Sequence, residues 1–210
     1  MKELVTASAI LLWACQPATD GNETERTADV GGEAHVAATE DEFLRYLKNF
    51  KELTLPVTIK GCYIDVGPYK ELDRAEFPHY AEDYARAFGR VPANGDHIAV
   101  LTLGAADCYL PTLTSYRPDG RFIGSKVIAI GGCGAGCGFT CEEFMVLNKD
   151  LSFYTSDTIS TYTCDSLGYE IPGTYEHYVV AMSGRLLTNG TIEATERIRR
   201  PIPVRDEHMP

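Results

Sequence analysis

The chain has 210 residues, 44% of them hydrophobic, and a formal net charge of -11. That balance comes without a Lys/Arg cluster able to offset a phosphate backbone, so nucleic acid is not an expected partner. No apolar run approaches the ~20 residues of a membrane-spanning helix, which argues against a permanent transmembrane segment.

Lys2 supplies the only positive charge before the apolar stretch Leu4 to Ala14, which closes on Leu12, Trp13, Ala14 and Cys15. This tetrapeptide resembles the lipobox of bacterial lipoproteins. The resemblance covers residues 1–15 only. It implies that residues 1–14 are a signal peptide, that Cys15 is the lipid attachment residue, and that the mature chain begins there. It also implies an extracytoplasmic domain in the cell envelope, with the membrane as a partner through the lipid anchor. Gln16, where an Asp would mark inner-membrane retention, points to the outer membrane.

Residues 15–38 read as an acidic tether. Between Gln16 and Glu42 eight carboxylates face Arg26 alone, which places -7 of the net -11 in a short segment. Large apolar groups are almost missing there, so the segment buries too little surface to offset the entropy of ordering. A flexible chain of about 23 residues has an r.m.s. reach on the order of 25 to 30 Å. Residues 39–210 remain for a single globular domain, a size at which one core can close.

Thr39 and Glu42 have the spacing of a capping box, and Phe43, Leu44, Leu47 and Phe50 recur at helical spacing, which predicts a helix over Glu40 to Lys51. Leu53 to Lys60 alternates as a half-buried strand, and Pro56 assigns it to a sheet edge. Tyr80, Tyr84 and Phe88 fall four apart, between Pro78 and Gly89, which predicts a second helix over Phe77 to Phe88 with a core-facing stripe. From Asp96 onward the chain reads as short strands. His97 to Leu103 is a central strand; Cys108 to Tyr116 and Arg121 to Ile130 flank the turn Pro118-Asp119-Gly120. Glu143 to Leu147 and Leu151 to Thr155 flank Asn148-Lys149-Asp150, and Asp157 to Cys164 is a further run. Tyr175 to Met182, Arg185 to Leu187 and Thr191 to Ile198 are separated by Ser183-Gly184 and Asn189-Gly190. The expected class is α+β: two N-terminal helical segments on a mainly antiparallel, turn-rich sheet of about seven or eight strands, stabilised by disulfides.

The most unusual stretch, Gly131 to Cys141, carries Cys133, Cys137 and Cys141 among five glycines. With Cys62, Cys108 and Cys164 it gives six cysteines besides Cys15, an even number that favours disulfides in an extracytoplasmic protein while leaving the pairing open. No zinc pattern, thioredoxin-like C-x-x-C, P-loop, G-x-S-x-G or H-E-x-x-H motif is present. Neither a metal nor a cofactor is therefore expected, and no catalytic residue is assigned; His79, His97 and His177 read as scattered helix-surface or strand residues, and Asp65, Asp107, Asp165 and Glu170 as solvated loop carboxylates. The expected function is a lipid-anchored binding or scaffolding module, with an envelope protein or glycan as partner and tyrosines as contact residues. The alternative is a thiol-redox or metal-binding enzyme using the Cys133, Cys137 and Cys141 loop. Cys15→Ser should release the protein from the membrane fraction of the producing cell; unchanged pelleting contradicts the lipid anchor.

Overall fold

A computed structural model describes residues 39–203 except 62, 63, 94 and 107. The leader, Cys15, Cys62, Asp107 and all of the expected tether lie outside the described residues. Helix α1 (Glu40–Leu47) starts where expected: the Thr39 hydroxyl accepts from the Glu42 N–H at 3.2 Å. The returning half of the capping box is not made. Glu42 turns its carboxylate to His79 instead, whose Nδ1 lies 2.9 Å from Oε2. The helix stops at Leu47, a turn short of Lys51.

Among the described residues ten strands follow: β1 (Val57–Lys60), β2 (Arg86–Val91), β3 (Ile98–Gly104), β4 (Leu110–Tyr116), β5 (Phe122–Val127), β6 (Phe139–Leu147), β7 (Ser152–Thr161), β8 (Glu176–Leu186), β9 (Ile192–Ala194) and β10 (Ile198–Pro201). They form two sheets, not one. The first runs β1-β6-β7-β8-β10, with β9 also on β8; the second runs β2-β3-β4-β5. All strand pairs are antiparallel.

The α+β expectation is therefore corrected to a mainly β architecture with one short helix in the described region. The second helix fails for a physical reason. Phe77 to Ala81 closes single turns, with the Ala81 N–H donating to Phe77 O, but Tyr84 takes a positive φ of 60° and ends any helical path. Arg86 to Val91 then pairs with β3, a tertiary preference that overrides the four-residue aromatic spacing. Gly89, read from sequence as a helix stop, sits at a register shift in β2, where a Cβ would strike the Leu53 side chain. The aromatic stripe is divided as a result. Tyr80 packs against the Phe43 and Tyr46 core and Phe88 against the other, whereas Tyr84 is exposed.

Other boundaries move for equally local reasons. Leu53 to Lys60 breaks at Pro56: the Leu53 N–H donates to Arg90 O beside β2, while Val57 to Lys60 pairs with β6. Strand β1 is indeed at a sheet edge. Leu151 to Thr155 and Asp157 to Cys164 merge largely into β7, and Ser183-Gly184 lies within β8 rather than at a turn.

Strand β3 holds the layers together because both of its faces are buried. Ala99, Leu101 and Leu103 join Leu113, Met145, Leu147, Phe153 and Met182 in a core between the sheets. Val100 faces the opposite way, into a second core with Phe43, Tyr46 and Phe50 of the helical segment, Phe77 and Tyr116. The Tyr46 ring stacks on Tyr80 at 5.1 Å between centroids and meets Phe77 edge-on at 5.7 Å. Ser115 Oγ donates to Gly190 O at 2.6 Å, tying β4 to the β8–β9 turn.

At Gly184 a Cβ would meet both Glu193 O and the Phe153 ring. Gly184→Ala should destabilise the domain by roughly 1–3 kcal/mol through overpacking. Urea denaturation reads this directly, and an unchanged midpoint contradicts the packing described.

Candidate functional site

The glycine-rich segment follows the end of β5 at Val127 by three residues and leads into β6 of the first sheet, and two disulfides fix it on the way. Cys133 bonds Cys141 with a Cα–Cα distance of 5.3 Å, and Cys137 bonds Cys164 at 6.3 Å. The expectation of disulfides holds for these four cysteines. Cys108 is buried and also disulfide-bonded. Two glycines have a definite task. Gly131 and Gly138 take positive φ of 68° and 67°, and a Cβ on Gly138 would collide with Tyr162, whose N–H donates to Gly138 O at 2.8 Å.

Beneath this loop lies a pair of acids. Along β6 the inward positions are Cys141, Glu143, Met145 and Leu147; along β7 they are Phe153, Thr155, Asp157 and Ile159. Glu143 and Asp157 are directly opposed in register. Glu143 is 6% exposed, and Thr155 and Asp157 are 0% exposed. The Gly132 N–H donates to Asp157 Oδ2 at 2.7 Å. Glu143 Oε1 and Oε2, Asp157 Oδ1 and Thr155 Oγ1 are buried without a hydrogen-bond partner. Desolvation, followed by the nearby Asp157 charge, pushes the Glu143 carboxyl up to about 7. Burial also raises Asp157, opposed by the Gly132 N–H and by Arg197.

One Asp157 oxygen and the sulfurs of Cys133 and Cys141 lie within 4.8 Å of one another. Those sulfurs are consumed in a disulfide, so they offer no thiolates to a metal in this state. The Glu143–Asp157 pair was not singled out from sequence. The signal was present, because a period of two from Leu147 back through Met145 puts Glu143 on the buried face.

Among the described residues, those read as scattered stay apart from one another, although His97 is buried. His79 pairs with Glu42, His97 Nδ1 lies 3.1 Å from Thr188 O, and the His177 ring sits 6.5 Å from Tyr175. Asp65 accepts from the Gly67 N–H at 3.0 Å. Asp165 is an exception with structural work: its Oδ1 accepts from the N–H groups of Leu167 and Tyr169 at 2.8 and 2.9 Å. Cys164 bridges Glu170 across this small turn, and the Ile171 N–H donates to Thr163 O at 2.8 Å. The loop is therefore shaped by its own backbone and pinned by Cys137–Cys164. It presents Leu167 at 79% and Tyr169 at 69% exposure, with Ile171 and Tyr175 beside them in sequence and also exposed.

Comparison with known proteins gives no matching family model and no significant match to a curated protein or a solved structure. The site is thus defined by its own geometry: a β-rich domain with a disulfide-pinned apolar loop and a buried carboxylate pair. Among the described residues no helix is long and apolar enough to cross a membrane.

The raised Glu143 pKa has a defined sign in stability. An unfolded Glu releases its proton near 4.5, whereas the folded one holds it to about 7. The stabilising contribution of the bound proton is complete below the unfolded value and is lost as pH climbs through the folded one. In chelator-treated buffer, Glu143→Gln should gain stability relative to wild type by ~2–3 kcal/mol between pH 5 and pH 8. A difference that does not vary with pH in urea titrations contradicts this assignment.

Proposed function

We propose that the chain is a lipid-anchored cell-envelope protein whose globular domain binds a protein partner through the loop between β7 and β8. The observation that carries this reading is the pinned loop bearing exposed Leu167 and Tyr169. Ordering an apolar loop before binding lowers the entropy lost on association, which is how a small contact gains affinity. Tyrosine supplies broad area with few rotatable bonds. Leu167 and Ile171 offer nothing to the hydroxyls of a sugar, so a protein surface suits the loop better than a glycan. Cys15 would place the domain at the membrane, with the acidic segment as its tether.

A photo-reactive amino acid at Tyr169 should yield a discrete protein adduct in intact cells. The same group at Tyr84, an exposed aromatic outside this loop, should not. Leu167→Asp should abolish the Tyr169 adduct while leaving thermal stability within about 0.5 kcal/mol, as expected for an exposed position. Equal labelling from both sites, or an adduct that survives Leu167→Asp, contradicts the proposal.

A further inference from the structure

Glu143 and Asp157 pose a problem that protein groups do not solve. They leave the same face of the sheet from opposed positions on β6 and β7, where Cβ atoms are about 4.5–5.5 Å apart. Thr155 occupies the next inward position on β7. Four oxygens in this group, two from Glu143 and one each from Asp157 and Thr155, are buried and unpartnered. The charged groups around them are few. No Lys or Arg is ion-paired with either carboxylate among the described residues; Arg197 acts on Asp157 from a distance, and Lys60 lines the neighbouring cavity.

An unpaired buried carboxylate is among the most expensive features a fold can carry, and two opposed ones repel each other if both ionise. A proton relieves the charge but satisfies only one oxygen. One divalent cation relieves both charges and engages several oxygens together. We propose that Glu143, Asp157 and Thr155 form a site for a hard divalent cation of the calcium type. The donors are all oxygens, which select calcium or magnesium over zinc and copper.

Two further features fit an ion. Gly132 lies over Asp157, where a Cβ would stand 3.0 Å from Oδ2, so the main chain approaches the carboxylate as no other residue would allow without displacement. Glu143 also borders a surface cavity of about 450 Å³, together with Lys60, Gly61, Cys141 and Thr158. The four oxygens have no solvent contact of their own, so calcium, with a coordination shell of roughly six to eight, would draw its remaining ligands from water admitted beside Glu143.

The test uses the purified full-length chain, stripped with chelator and titrated with calcium chloride at neutral pH. A saturable rise in melting temperature of roughly 5–10 °C is expected at a hundredfold excess over Kd. Glu143→Gln and Asp157→Asn should each remove that rise, which separates this site from weak binding along the acidic segment. Hydrogen exchange on the wild type gives a second readout that does not depend on the variants folding. Calcium should slow exchange most at Gly132 and across Glu143 and Asp157, beyond the smaller uniform slowing that global stabilisation gives the β3–β4 pair. No calcium-dependent rise, a rise that Glu143→Gln retains, or protection spread evenly over the domain overturns the proposal.

Discussion

The Cys133–Cys141 and Cys137–Cys164 bridges are the constraint on which the distinctive parts of this molecule depend. A segment with five glycines between Gly131 and Gly138 has the largest conformational entropy to lose on ordering. Cross-links restrict the unfolded chain, and each contributes typically 2–4 kcal/mol toward offsetting that loss. The first bridge lays the segment over Asp157, where the Gly132 N–H supplies the only hydrogen bond that carboxylate receives among the described residues. The second ties the same segment to the β7–β8 connection and so sets the stance of the exposed loop.

Strand β3 is held without either of these two bridges. Its two buried faces serve two cores, one between the sheets and one beneath α1, and apolar packing alone closes both. Toward the Glu143 end of β6 and the Asp157 region of β7 the inward pattern changes from Met145 and Leu147 to carboxylates, and hydrophobic burial no longer holds the sheet edge to its cover. Disulfides take over there. The polar pair and the covalent staples thus occupy the same region of the first sheet, which permits a buried charge site without loss of the fold.

Sequence reading reached the features governed by neighbours along the chain. The Thr39 cap, the Pro118-Asp119-Gly120 turn between β4 and β5, the Asn148-Lys149-Asp150 turn and the edge position after Pro56 all rest on local backbone chemistry. It missed features set by partners distant in sequence. Gly89 looked like a helix stop because its actual neighbour, Leu53, is 36 positions away. Gly184 looked like a turn because the Phe153 ring that fills its missing side chain belongs to another strand. The separation into two sheets was equally hidden, since each strand's alternation reveals which face is buried but not which sheet it joins. In the candidate site the cysteines were legible as a group and their pairing was not. Asp157 drew no attention, because an acid at the head of an apolar run resembles a strand end until its register against Glu143 is known.

Exposure and burial separate the two proposed sites accordingly: the loop around Leu167 and Tyr169 presents exposed apolar area, and the Glu143–Asp157 pair lies under cover. Both depend on the pairing of four sulfurs, so that pairing is the most direct test. The full chain, purified from an oxidising compartment, denatured and alkylated without reductant, would be digested and mapped by tandem mass spectrometry. The structure predicts Cys133 linked to Cys141, Cys137 linked to Cys164, and no alkyl group on any of the four. Alkylation at any of the four, or any exchange of partners among them, would contradict it.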